Sequence, residues 1–208
     1  MRIVVFGSTG RTGSRVIDCA LERGHHVHAV ARNPDAVRRV DDRLTVSAGN
    51  AEQPEHWRAV IEGADAVVSA VGVGPQRQPT TVHSATMNGI LSAASSDTVV
   101  IAISAIPVDR TDHGVIGRAL VLPILYSFFG SSYRDMARME STMASADVDW
   151  VVVRPPRLTD KPTTGTYRAA VDGALHGASH IRRGDLAIAL MDAVTEQAWR
   201  RRVVRVAA

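Results

Sequence analysis

An apolar strand that runs straight into three regularly spaced glycines leaves the chain few folds to choose from. Ile3–Phe6 is an unbroken apolar run of strand length, followed at once by Gly7-Ser8-Thr9-Gly10-Arg11-Thr12-Gly13. Beyond the third glycine, Val16, Ile17, Ala20 and Leu21 recur on one face of a 3.6-residue period, and Gly24 ends the helix they imply. In such a strand–turn–helix unit Gly7 allows a sharp turn and Gly10 lets the backbone approach a phosphate. Gly13 permits close helix–strand packing. The first turn of the helix adds unpaired N–H groups and a positive dipole end, which suit an anion.

The same alternation continues to the C-terminus. Val27–Ala31 and Leu44–Ala48 read as strands two and three, and Trp57, Val60 and Ile61 as a short helix ending at Gly63. Ala66–Val71 is an apolar fourth strand, Thr81–Ser95 a helix, and Val99–Ile103 a fifth strand. Arg134–Ala146 is helical, Trp150–Val153 a sixth strand, and Asp185–Ala198 a helix capped by Asp185; Val203–Val206 is expected at the sheet edge. Apolar strands separated by helices predict a parallel sheet covered on both faces, and right-handed crossovers make it doubly wound. With 208 residues, 45% of them hydrophobic, the chain suits one α/β domain, 1–208, of the Rossmann type. A smaller substrate-side region is expected around residues 106–133 and 155–184.

Composition narrows the partners. The net charge is only +3, and the basic residues are scattered arginines apart from Arg200-Arg201-Arg202 and Arg205. A solvated C-terminal face explains that cluster better than a nucleic-acid track. The first apolar run is too short for a signal peptide or a membrane span, which reads as a cytoplasmic chain. Cys19 is the sole cysteine and sits in a helical apolar pattern, as a small core residue would. His25, His26 and His28 lack an acid or cysteine to complete a set, so no metal site is expected.

The end of strand two bears on the cofactor. An acid there would bond a free ribose 2′-hydroxyl, but the sequence reads Val30-Ala31-Arg32-Asn33-Pro34. Arg32 can instead pair with a 2′-phosphate, with Arg11 flanking the same group, which favours NADP(H). Asp35 follows Pro34 and reads as the start of a helix. Thr9, Thr12, Asn50, Ala70, Val71, Gly72, Ser104 and Pro155 join Gly7, Gly10, Gly13, Arg11 and Arg32 as candidate cofactor contacts at the carboxyl ends of the strands.

These pieces together resemble the atypical short-chain dehydrogenase/reductases of the NAD(P)H-binding, NmrA-like group, and most of all the biliverdin-IXβ/flavin reductase branch. The matching stretches are GSTGRTG at 7–13, ARNPDAV at 31–37, VVSAVG at 67–72, ISA at 103–105 and VVVRPPRLTDKPTTGTYR at 151–168. The resemblance implies a Rossmann core, NADP(H), and reduction of a planar or carbonyl substrate at the C-terminal edge of the sheet. It also assigns Ser104 to the serine of that branch. Two features depart from the pattern. The Tyr-x-x-x-Lys pair of orthodox members is absent, since Lys161 is the only lysine and Arg157 stands four residues before it. Arg157 also replaces a histidine that the branch carries near its substrate.

Ser104, at a strand end, is thus the first catalytic candidate, with a turn cap as the bland alternative. Tyr133 is the second; position 137 is alanine, so nothing in the sequence activates it. Arg157 is expected to clamp an anionic substrate group, or to make an ordinary surface ion pair. Arg154 and Tyr167 are placed with it around the Pro155-Pro156 turn, and Asn88 near the cofactor. The apolar stretch Gly114–Gly130 reads either as a wall over the nicotinamide, with Tyr126 and Phe129 facing an aromatic substrate, or as the interface of a homodimer. The leading expectation is an NADPH-dependent reductase of a hydrophobic carbonyl, quinone or flavin-like molecule. A non-catalytic NADP(H)-sensing protein and an isomerase or epimerase with bound cofactor are the alternatives.

Overall fold

The computed structural model describes residues 1–74, 78–109 and 122–208. Its strands are β1 (Arg2–Phe6), β2 (His26–Ala31), β3 (Leu44–Ala48), β4 (Ala66–Ser69), β5 (Val99–Ile103), β6 (Asp149–Arg154), β7 (Arg157–Thr159), β8 (Arg168–Val171), β9 (His180–Arg182) and β10 (Arg202–Ala207). Its helices are α1 (Gly13–Glu22), α2 (Arg58–Ile61), α3 (Val82–Ala93), α4 (Leu122–Ala144) and α5 (Arg183–Thr195). Eight strands form one sheet in the order β3-β2-β1-β4-β5-β6-β10-β8, and β7 pairs with β9 in a separate parallel ribbon. Every pairing in the large sheet is parallel except β10 with β8. The doubly wound α/β architecture is the one the strand–helix alternation implies.

Alternation along β1 splits the core in two. Ile3 and Val5 pack with Val16, Ile17, Ala20 and Leu21 of α1 and with the apolar face of α5. Val4 and Phe6 face the other way, onto Trp57, Met87 of α3 and Met139 of α4. Phe6 meets the Trp57 ring edge-on at 4.7 Å between centroids. Strands buried on both faces need continuous apolar runs, and that is how the sequence reads.

Three elements differ from the sequence expectation. Val203–Val206 lies inside β10, and β10 is not the edge: β8 pairs outside it, Val204 opposite Val171. The β8 sequence, Arg-Ala-Ala-Val, is largely exposed and carries no apolar alternation to betray a strand. Helix α4 begins at Leu122, twelve residues before the expected Arg134. Within its described part α4 carries Pro123 one residue from its start and accepts Gly130 in the interior. Helix α5 begins at Arg183, and Asp185 does not cap it. Its fully buried carboxylate accepts hydrogen bonds from Thr164 N at 2.8 Å, Gly165 N at 2.9 Å and Thr164 Oγ1 at 2.9 Å. Asp185 therefore pins a distant loop to the start of α5. Of the apolar stretch Gly114–Gly130, residues 114–121 lie outside the described residues, and the remainder is the first part of α4. Among the described residues no helix is long and apolar enough to cross a membrane.

The chain reverses its winding between β1 and β4, and the glycine turn sits at that point. Gly7 has φ +71°, and a Cβ there would fall 2.4 Å from the carbonyl oxygen of Ala70, just past β4. A Cβ on Gly13 would fall 2.1 Å from the Gly7 carbonyl oxygen, whereas one on Gly10 would meet only that oxygen, at 3.0 Å. Gly7 and Gly13 are thus packing requirements, and Gly10 borders open space. Gly13→Ala is expected to lower stability by about 1–3 kcal/mol, the range for forcing extra atoms into a packed interior. Gly10→Ala should cost less than about 1 kcal/mol. Urea unfolding of both variants checks this, and equal losses would contradict it.

Candidate functional site

Four strand ends open on one cavity. The turn after β1 gives Gly10, Arg11 and Thr12, and the segment after β4 gives Ala70–Gly74. The segment after β5 gives Ser104–Pro107, and the one after β6 gives Pro155–Leu158. Helix α4 closes the space with Leu125, Phe129, Ser132, Tyr133 and Met136, and Arg183 closes it at the start of α5. The volume is about 850 Å³, and the wall is mostly apolar. Ligands of open parallel sheets bind in this crevice, beyond the carboxyl ends of the strands where the winding reverses.

Ser104 is the most informative residue in the wall. Its backbone N–H donates to the carbonyl of Val153 at 2.8 Å, which fixes it between β5 and β6. The residue is 2% exposed, and its Oγ has no hydrogen-bond partner among the described residues. Buried hydroxyls are ordinarily paired, and an unpaired one on a residue of the cavity wall marks a place where a small side-chain adjustment would meet a ligand atom.

Tyr133 lines the same cavity in a different state. Burial, with the nearby Tyr126, pushes its phenol up to about 12. The Tyr126 ring lies edge-on at 5.3 Å and Phe129 at 5.9 Å, so Tyr133 belongs to an aromatic cluster. Tyr126 itself stands behind the wall, and its hydroxyl donates to the Pro107 carbonyl at 3.1 Å.

The other sequence candidates divide. Arg157 is exposed at the cavity and forms no ion pair among the described residues. Thr9 and Arg32 are exposed outside the lining, and Gly7 and Gly13 lie beneath the turn. Asn50 is outside the lining too. Its side chain accepts from Glu52 N at 3.3 Å, and its carbonyl accepts from Trp57 Nε1 at 2.9 Å. Arg11 turns to Asp160, donating at 2.8 Å. Tyr167 lies outside the lining and donates to Asp192 of α5, and Asn88 is exposed on α3. Arg154 is buried and donates to Glu140 and Asp109, with Arg205 also on Asp109 at 3.1 Å. These bonds hold the Ile106–Asp109 floor against β6 and β10. Among the described residues no group of His, Cys, Asp and Glu could hold a metal ion.

Sequence reasoning missed a second polar point in the wall. His83 Nε2 lies 3.3 Å from Ser132 Oγ, and the two side chains are almost fully buried. Asp135, also buried, accepts from the backbone N–H groups of His83 and Ser84 and from Ser84 Oγ, with Arg138 at 3.1 Å. A carboxylate on α4 thus caps α3 and sets His83 toward the cavity. Nothing local in the sequence signals this, because the partners are about fifty positions apart.

The model of a family described as NAD(P)H-binding matches residues 7–197. The chain belongs to that family. An uncharacterised Bacillus subtilis protein, YwnB, is 26% identical over 204 residues, covering 92% of this chain and 91% of its own length. The fold is shared with the anaerobillin reductase ChuY of Escherichia coli O157:H7, with a TM-score of 0.77, 21% identity and coverage of 100% and 97% of the two chains. It is shared equally with a short-chain dehydrogenase/reductase from Veillonella parvula solved with NADP, with a TM-score of 0.80, 16% identity and coverage of 100% and 94%. This NAD(P)H-binding chain therefore has the Rossmann architecture of the atypical reductases that its motifs resemble.

Burial makes His83 pH-sensitive. Desolvation lowers its pKa below the ordinary 6.5, against the opposing pull of Asp135. The unfolded chain then binds the proton more readily, so the stability held above pH ~6.5 is lost as the pH falls through that value. His28 and His25 shift the same way through burial and add to the slope. The urea midpoint is expected to drop between pH ~7.5 and ~5.5, and less steeply in His83→Gln. Identical slopes would show that His83 is not held neutral by burial.

Proposed function

We propose that the protein is an NADP(H)-dependent reductase of a hydrophobic carbonyl, quinone or flavin-like small molecule. The observation that carries this reading is the apolar cavity that starts at the glycine turn and has Ser104, its buried hydroxyl unpaired among the described residues, in its wall. A dinucleotide with its phosphates at Gly10–Thr12 and the N-terminus of α1 would extend along the strand ends, past Ala70–Gly72 and Pro155, toward Ser104. The reductase activity of the E. coli neighbour and the NADP bound to the Veillonella one support the same reading.

The preference for NADP(H) rests on Arg32. It follows β2 directly, where an acid would bond a free ribose 2′-hydroxyl, and its side chain is exposed for a phosphate. Thr9 is exposed on the same turn, and Ser8 Oγ donates to the Val30 carbonyl at 2.9 Å, tying the turn to the end of β2. Arg32→Ala is expected to weaken NADPH by ~1.5–3 kcal/mol, the worth of hydrogen bonds to a charged group, and NADH far less. Calorimetric titration of both cofactors measures this, and unchanged NADPH affinity would refute the assignment. Gly10→Val should abolish binding of either cofactor with the fold retained, because its side chain would fill the space the pyrophosphate needs.

The chemistry asked of the protein is chiefly positioning. The cofactor supplies hydride when bound. Ser104 would hold the acceptor oxygen or nitrogen by donating a hydrogen bond, and the proton that completes reduction would come from water entering the open cavity. Phe129, Tyr133 and Met136 give a planar substrate an apolar wall, with Tyr126 behind them. Arg157 is free to meet an anionic group on that substrate. Tyr133 packs in the aromatic wall, its phenol raised to about 12 by burial, and its role is to shape the cavity while Ser104 orients the acceptor. Ser104→Ala should therefore cost ~10–10³-fold in turnover and Tyr133→Phe less than ~5-fold, with NADPH affinity measured separately. A large loss in Tyr133→Phe beside a near-normal Ser104→Ala would reverse the roles.

The same raised phenol favours one other reading, a non-catalytic NADP(H) sensor. NADPH oxidation against a panel of quinones, flavins and ketones separates the two. Turnover supports the reductase; tight NADPH binding with no oxidation across the panel supports the sensor.

A further inference from the structure

The segment after β7 carries a carboxylate to the rim of the cavity, where two arginines of the wall close on it. Asp160 accepts from Arg11 Nη1 at 2.8 Å through one oxygen and from Arg183 Nη1 at 2.9 Å through the other. Arg11 belongs to the phosphate turn and Arg183 opens α5, so a single side chain ties the two sides of the cleft together. The described lining contains Arg11, Arg157 and Arg183 and no Asp or Glu. Asp160 stands outside the lining and offsets part of the cationic wall from there. Side-chain exposure is 73% for Arg11, 45% for Asp160 and 12% for Arg183. The Arg11 pair is open to solvent and weak, and a phosphate binds a guanidinium pair more strongly than a lone carboxylate does.

We propose that Asp160 is a resident substitute for a phosphate: it bridges Arg11 and Arg183 until a dinucleotide binds, and the pyrophosphate then takes its place between the two guanidiniums. The inference rests on dinucleotide binding by the family and not on the reductase reading. The pyrophosphate is the fitting group because the backbone of Arg11 lies at the start of α1, where unpaired N–H groups and the helix dipole already favour it. Arg32, the candidate for the 2′-phosphate, lies outside this wall. The movement required is short. Thr159 is held in β7, and Thr164 and Gly165 are held by the buried Asp185, so residues 160–163 alone need shift. Arg183 becomes a cofactor-binding residue that the glycine motif does not announce, and Asp160 a competitor that lowers cofactor affinity.

The test is calorimetric titration of the full chain with NADPH and, separately, NADH, for wild type, Asp160→Asn and Arg183→Gln. Asp160→Asn keeps the shape of the side chain, and its circular dichroism should match the wild type. It is expected to bind both cofactors about five-fold more tightly, since its two ion pairs no longer compete. Arg183→Gln should bind both about ten-fold more weakly. Unchanged or weaker binding in Asp160→Asn would overturn the proposal, the carboxylate then being a clamp that stays closed over the bound cofactor. A gain confined to NADPH would also overturn it, by assigning the displaced position to the 2′-phosphate.

Discussion

The close approach between the backbone of Gly7 and the end of β4 governs everything built above it. A Cβ at Gly7 would lie 2.4 Å from the Ala70 carbonyl oxygen, and one at Gly13 would lie 2.1 Å from the Gly7 carbonyl oxygen. Two glycines therefore let three backbones, those of β1, β4 and α1, meet at the point where the sheet reverses its winding. That contact aims the N-terminus of α1 across the strand ends and leaves Gly10 facing space. It also sets Ala70, Val71 and Gly72 as the near wall of the cavity. A larger residue at either position would move the helix, and the anion site with it.

Buried carboxylates do for the far side of the site what the glycines do for the near side. Asp135 and Asp185 are both fully buried, and each caps backbone from an element other than its own. Asp135 joins α4 to the start of α3, which brings Ser132 against His83. Asp185 holds the Thr164–Gly165 loop to the start of α5. A buried charge is tolerated only where hydrogen bonds surround it, so each carboxylate locks several donors into one arrangement. The mostly apolar cavity is thus framed by polar joints that lie just outside it. Among the described residues its own side-chain polar points are Ser104, the His83–Ser132 pair, Thr12, Tyr133, Ser179 and the arginines.

What could be read in the sequence follows from the range of the interactions. The strands β1, β2, β5 and β6 were legible because burial on both faces demands short apolar runs, the half-exposed edge strand β3 because its β-branched and apolar residues still form a short run, and the glycine turn because its spacing is local. Ser104 was legible as a residue just past a central strand. The early start of α4 was not, because Pro123 and Gly130 are helix breakers in the interior and acceptable only in their actual settings. β8 was hidden by exposure, and the cap expected of Asp185 was misplaced because its partners lie twenty residues upstream. His83, Ser132 and the Arg11–Asp160–Arg183 bridge could not be found at all, since each joins residues from separate elements. Local pattern gave the scaffold and the phosphate end of the site; its opposite wall is made by contacts across the fold.

The central claim is that one cavity takes the dinucleotide from the glycine turn to Ser104. A crystal structure of the protein grown with NADPH tests it most directly. The account predicts the pyrophosphate over the backbone N–H groups of Arg11 and Thr12, and the nicotinamide in the cavity with Ser104 Oγ within about 3.5 Å of it or of a molecule stacked on it. A cofactor bound at the turn with its nicotinamide directed away from Ser104, or bound elsewhere on the protein, would contradict it.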